Sequence, residues 1–209
     1  MPLMSQGSKP IDGGGLILKS DEYNKFITEY PELKDLVKPY MGASELIKGK
    51  RRYCFWLKDV DSKRFVNNKL IRERLKIVIE ARRKSPTKSV HDHAEEAPYL
   101  FSQIRQPDVD YIAVPSPSSG NRKYIPMAIL SKNIIASNRL YIIPSTSLWI
   151  FSVLMSSVHM AWVNVVTGRL KSDFSYSPAV YANFPWLDFT NEQKAQLNKS
   201  AQEILDARE

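Results

Sequence analysis

The chain has 209 residues, 43% of them hydrophobic, enough to bury one substantial core with room for a small appendage. Thirty Lys and Arg against 22 Asp and Glu give a formal net charge of +8, an excess that suits an anionic partner such as nucleic acid. One cysteine, Cys54, excludes an internal disulfide framework and fits a reducing cytoplasm.

Residues 1–15 are rich in Gly, Pro and polar side chains and read as an irregular linker from a preceding domain. They lack the apolar stretch of a secretory signal. Gly13, Gly14 and Gly15 match neither the Walker loop nor the dinucleotide fingerprint. Leu16–Leu18 reads as a short strand, followed by a helix from an N-cap at Ser20 towards Tyr30 that Pro31 interrupts.

From Gly42 to Gly49 the composition predicts a turn, and Arg51–Leu57 has the aromatic and apolar content of a strand. Cys54, set among Tyr53, Phe55 and Trp56, reads as a buried structural thiol. Lys48, Lys50, Arg51 and Arg52 cluster at the start of this strand. They are candidates for phosphate contact, with a solvated charge run as the alternative.

Asn67–Ser85 carries the clearest amphipathic pattern. Ile71, Leu75, Val78 and Ile79 fall on one stripe of a helix, and Lys69, Arg72, Lys76 and Arg83 on another. That basic stripe is either a solvated face or a track for a DNA backbone. Pro86 ends the helix and a polar loop is expected through Pro98. Within it, His91, Asp92 and His93 have metal-ligand chemistry, but no cysteine is near and a metal site is not expected.

Tyr111–Val114 and Tyr124–Leu130 read as strands joined across Pro115–Gly120. Asn121, Arg122 and Lys123 then lie at or near a hairpin tip. Arg can contact guanine, and Asn adenine, through paired hydrogen bonds; a solvated turn is the alternative. Short strands at Ile134–Ile135 and Leu140–Ile143 lead into an apolar run. No charged residue lies between Arg139 and Arg169, and a central buried helix is expected over Leu148–Val166.

That run is long enough to raise a membrane reading. Ser152, Ser156, Ser157, His159 and Asn164 argue for a protein core instead, where such groups find partners. Gly168 is expected to supply a left-handed residue that stops the helix, and Arg169 and Lys171 then form a turn able to hold Asp173 or a phosphate, with a solvated capping turn as the alternative. A capping box is predicted at Thr190 and Gln193, and the helix that follows places Leu197, Ala201, Ile204 and Leu205 on one face. The fold class is therefore mixed α/β (α+β). Strands and hairpins surround a central buried helix, with one region over 16–145 and a helical C-terminal segment over 146–209.

An ordered series of motifs also resembles a known family. The series includes His159-Met-Ala-Trp162, Gly168-Arg-Leu-Lys-Ser-Asp173, Tyr176-Ser177 and Val180-Tyr-Ala-Asn-Phe-Pro-Trp186. Nearer the start come Met4-Ser-Gln-Gly-Ser8, Asp12-Gly-Gly14, Pro39-Tyr40, Gly49-Lys-Arg-Arg-Tyr53 and Phe55-Trp-Leu57. Together they resemble the C-terminal target-recognition region of MmeI-like adenine-specific DNA methyltransferases, restriction-modification enzymes of types IIG and IIL. The resemblance implies duplex DNA as partner, a preceding methyltransferase domain on the same polypeptide, and S-adenosylmethionine bound there. It also implies a base-reading pair near Asn121–Lys123, although Asn121 stands where relatives often carry an acidic residue, so the recognised base pair does not transfer.

Catalytic chemistry is not expected in this chain. Asn183-Phe-Pro-Trp186 only superficially resembles the loop that grips an extruded base, because Phe184 stands where the first proline belongs and no glycine-rich cofactor loop precedes it. It reads as a structural turn anchored by its aromatics. Neither catalytic, cofactor-binding nor metal residues are assigned. Two alternatives stay open: a complete DNA-modifying enzyme with an atypical site at His159 or Asn183, and a basic protein-interaction module. A monomer without membrane association is expected.

Overall fold

The computed structural model describes residues 1–208. In chain order it has β1 (Ser5–Gln6), β2 (Ile17–Lys19), α1 (Ser20–Glu29), a 3-10 turn at Pro31–Leu36, β3 (Val37–Met41), α2 (Ala43–Lys48) and β4 (Arg52–Phe55). Then come α3 (Lys69–Arg83), α4 (Lys88–Asp92), β5 (Tyr111–Pro115), β6 (Pro117–Ser118), β7 (Ala128–Leu130), β8 (Ile135–Ala136) and β9 (Leu140–Ile143). The remainder is α5 (Leu148–Leu154), α6 (Ser157–Val166), β10 (Arg169–Leu170), β11 (Asp173–Ser175), α7 (Pro178–Ala182) and α8 (Asn191–Asp206). The fold is mixed α+β, as expected.

Two compact units share the chain. One takes residues 1–6, 107–132 and 139 onward; the other takes 7–106 and 133–138. The units are thus interleaved along the sequence and do not follow the expected limits of 16–145 and 146–209. The reason lies in strand pairing: β1 hydrogen-bonds β9 across more than 130 residues of sequence, placing Ser5 opposite Ile142 and Gln6 opposite Tyr141. Residues 1–15, expected to be a linker, are tied in.

In the first unit a sheet of order β1-β9-β5-β7 carries the core. Every residue of β5 is buried, with Ala113 opposite Ile142 and Val114 opposite Tyr141 on one side and Ala128 beside Ala113 on the other. Ile112, Val114 and Ile143 join Phe151, Leu154, Val163, Phe174 and Tyr176 in one cluster. Fully burying a side chain such as Phe151 contributes roughly 1.5–3 kcal/mol. The capping box forms at the start of α8: the Thr190 N–H donates to Gln193 Oε1 at 2.9 Å and the Gln193 N–H to Thr190 Oγ1 at 3.3 Å. Ala201 is buried and α8 packs on α5.

The continuous helix expected over Leu148–Val166 is broken. α5 and α6 meet at 54°, because Ser156 leaves the helical conformation and its side chain accepts the His159 N–H, starting a new helix. α5 is the central buried helix, whereas α6 buries one face and leaves Val158 and Val165 68% and 84% exposed. Among the described residues no single helix is long and apolar enough to cross a membrane.

In the second unit the sheet order is β2-β4-β3-β8, with β3 and β8 parallel. Its core joins Leu16, Leu18, Phe26, Leu36, Phe55, Leu57, Ile71 and Val78. Cys54 is buried at the centre of β4, and burial pushes its thiol well above the usual range, so it is structural. Two local expectations change. The first helix is capped at Lys19, whose N–H donates to Glu22, and Ser20 instead donates its hydroxyl to the Arg51 carbonyl. The expected Gly42–Gly49 turn is the short helix α2, ended by Gly49 at φ +64°. Asn68 caps α3 by accepting the Ile71 N–H at 3.0 Å.

Candidate nucleic-acid interface

Three short strands assemble an exposed basic feature of the first unit. β11 pairs antiparallel with β6 on one side, Phe174 opposite Ser118, and with β10 on the other, Leu170 opposite Asp173. Asn121, Arg122 and Lys123 follow β6 directly and are all exposed. The ribbon therefore brings them beside the Arg169–Lys171 segment, from which they are separated by some fifty residues of sequence.

The approach is close. A Cβ on Gly120 would lie 2.2 Å from the Ser172 carbonyl oxygen, so only glycine fits there without movement. The Gly120 N–H points to Asp173 Oδ1 at 3.4 Å, and the Arg122 N–H donates to the Ser119 carbonyl at 3.1 Å. The tip backbone is thus hydrogen-bonded, among the described residues no hydrogen bond or ion pair engages the Asn121 and Arg122 side chains, and the Lys123 ammonium sits 5.5 Å from the Tyr124 ring centre.

Across the ribbon the basic residues divide. The Arg169 guanidinium lies 4.4 Å from the centre of the Phe174 ring and donates to the Ser172 carbonyl at 3.2 Å. Lys171 occupies the reversal of the β10–β11 hairpin at φ +57°, exposed. The left-handed residue expected at Gly168 is therefore Lys171; α6 ends at Thr167 in extended conformation and leaves Gly168 no such duty.

In the second unit, Lys69, Arg72 and Lys76 lie exposed along α3, on the side away from buried Ile71 and Val78. Arg83, on the same stripe, is ion-paired with Glu95. Lys50 and Arg51 are exposed, but Arg52 is held by Glu45, with Nε to Oε1 and Nη2 to Oε2 both 2.9 Å.

Two arginines of α3 that sequence patterning passes over turn out to be structural. Arg82 is buried and donates to the carbonyls of Pro10, Ile11, Ala97 and Leu100. Arg74 donates to those of Gly14, Gly15 and Ile17 and pairs with Glu22 at 2.9 Å. Their partners lie from 15 to 72 positions away in sequence, beyond the reach of helical periodicity, so no local pattern reveals them.

The candidates for an atypical active site have packing roles. His159 is buried against Tyr176 and Phe184, and burial pulls its imidazole down to about 4. The Asn183 amide donates to the Ala179 carbonyl at 2.9 Å, closing the last turn of α7. Phe184 and Trp186 make an edge contact at 5.1 Å, and the Trp186 indole donates to the Tyr181 carbonyl, so the Asn-Phe-Pro-Trp turn is held by its aromatics. His91 and His93 lie within 3.0 Å and 2.7 Å of Asp92 and Glu96.

Comparison with known proteins follows the same line. The family model described as MmeI, target recognition domain, matches residues 1–188. The chain is 38% identical over 210 residues to DNA methyltransferase A of Bacillus subtilis (strain 168), covering all of this chain and 24% of that protein. A solved structure of the type IIL restriction-modification enzyme MmeI in complex with DNA matches with a TM-score of 0.94 and 37% identity, over 100% of this chain and 28% of that one. The chain spans about a quarter of the length of each.

Proposed function

We propose, from the premise that this chain belongs to the family of MmeI target recognition domains, that it reads duplex DNA sequence for a larger adenine-N6 DNA methyltransferase of the restriction-modification type. The observation that carries this reading is the ribbon β6-β11-β10, which sets exposed Asn121, Arg122 and Lys123 beside Arg169 and Lys171 on a fixed backbone. Rigid anchoring of donor-rich side chains is what base-edge recognition in a groove needs. Lys69, Arg72, Lys76, Lys50 and Arg51 supply cations for sequence-independent phosphate contacts, which fix register and set the salt dependence. Arg52 and Arg83 already have carboxylate partners.

Methyl transfer itself belongs to the remaining three-quarters of such a protein. S-adenosylmethionine is expected in that part, and an adenine extruded from the duplex would be delivered to it. No residue of this chain is assigned to the cofactor.

The test is direct. The isolated chain binds duplex DNA with an affinity that falls steeply with salt, and incubation with labelled S-adenosylmethionine and DNA yields no methylated adenine. Site-specific methylation by this chain alone would overturn the division of labour. Failure to bind duplex DNA at low salt would overturn the DNA-reading function.

A further inference from the structure

We propose that the turn Lys48-Gly49-Lys50-Arg51 is a phosphodiester-binding site, and that Arg52 is its positioning residue and not a contact. The inference rests on the DNA-reading function proposed above and deepens it.

Three cations occur within four residues, and all three are exposed. Among the described residues no ion pair joins Lys48, Lys50 or Arg51 to a carboxylate, so their mutual repulsion is left for an external anion to relieve. A solvated charge run would also be exposed. What distinguishes this one is how firmly its backbone is held.

The turn is fixed from both ends. Gly49 at φ +64° reverses the chain after α2. On the far side, the Ser20 hydroxyl donates to the Arg51 carbonyl at 3.0 Å. Glu45, buried in α2, accepts the Gly42 N–H at 2.9 Å and both forks of Arg52, tying the start of α2 to the first residue of β4. The Arg52 guanidinium also lies 5.2 Å from the centre of the Tyr40 ring. Its charge is therefore matched and its plane occupied. Lys50, Arg51 and Arg52 line a groove of about 250 Å³ with Pro39, Tyr40, Met41 and Tyr53; there the Arg52 guanidinium is already engaged by Glu45, while Lys48 stands outside it at the end of α2.

The experiment measures how the affinity of the 209-residue chain for a fluorescein-labelled random-sequence duplex depends on salt. Each neutralised phosphate contributes about 0.9 to the slope of log K against log salt. Lys48→Ala, Lys50→Ala and Arg51→Ala each lower that slope by about one contact, and being exposed they leave the fold intact. Arg52→Gln lowers it by about two contacts or more although one charge is removed, and Arg52→Lys behaves like Arg52→Gln because an ammonium cannot make the forked pair with Glu45. Circular dichroism checks that both variants stay folded.

If the three alanine variants keep the wild-type slope, the site is overturned. If Arg52→Lys keeps the wild-type slope, Arg52 touches phosphate itself and its positioning role is overturned. A wild-type chain that binds no DNA at low salt would remove the DNA-reading function, and this inference with it. Should the Arg52 variants unfold, the three exposed substitutions still decide the site.

Discussion

Nε2 of His159 lies 2.9 Å from the Tyr176 hydroxyl, and both residues are almost wholly buried. The imidazole also hydrogen-bonds the Leu154 backbone. With that carbonyl accepting from one ring nitrogen, the other is free to accept the tyrosine proton, a pairing that requires neutral histidine. Burial lowers its pKa to about 4 from a usual 6.5. Below pH 6.5 the unfolded chain binds a proton that the folded chain refuses, so stability falls with pH until the folded pKa is reached. The full loss is about 3 kcal/mol. Urea unfolding of wild type and His159→Gln between pH 4 and 7 checks this: the variant loses that part of the slope, and equal slopes would contradict it.

Arg82 is expected to matter more for stability than any basic residue on the exposed stripe. Its removal takes the Arg82 donor from the Ile11 and Leu100 carbonyls and one of two donors from those of Pro10 and Ala97, which keep the Ser102 and Leu100 N–H groups, so Arg82→Ala costs about 2–4 kcal/mol. Arg82→Lys recovers little, since one ammonium cannot reach four carbonyls arrayed around a planar fork. Lys76→Ala, on the solvent side, stays within about 0.5 kcal/mol by the same denaturation assay.

Gly120 and Gly168 flank the same ribbon and should respond oppositely. A Cβ at Gly120 meets the Ser172 carbonyl oxygen at 2.2 Å, while one at Gly168 meets nothing within 4 Å. Gly120→Ala therefore displaces the Asn121–Lys123 tip, with a loss of about 1–3 kcal/mol in stability and weaker DNA binding. Gly168→Ala leaves both close to wild type. Thermal denaturation and fluorescence anisotropy on the pair decide the matter; similar behaviour would mean that the tip is not wedged.

Arg122→Ala in the longer protein is expected to relax selectivity at one base pair, costing about 1–3 kcal/mol if the contact is a paired one. Methylation of a duplex library read by sequencing shows the change. Uniformly weaker binding with unchanged selectivity would assign Arg122 to phosphate.

Local signals made much of the fold legible. Thr190 with Gln193, Asn68 before α3, and the apolar strands β4, β5 and β9 each announce themselves within a few residues. The break at Ser156 is not legible: the hydropathy of the flanking run reads as one helix, although two successive serines sit there. What local patterning cannot reach is pairing at long range. The parallel contact of β3 with β8, the closure of β1 on β9, the carbonyl partners of Arg74 and the reach of Arg82 to Pro10 all join residues dozens of positions apart. The candidate interface shows the same division: its charged residues stand out as types, while the β6–β11 pairing that unites them is set by the fold.

The chain passes from one compact unit to the other after residues 6, 106, 132 and 138. A recombination event with a single crossover inside the gene would leave one half-sheet facing a stranger's partner strand. A graft is therefore expected to keep its sheets only when residues 5–175, the span closed by the β1–β9 and β6–β11 pairings, come from one parent.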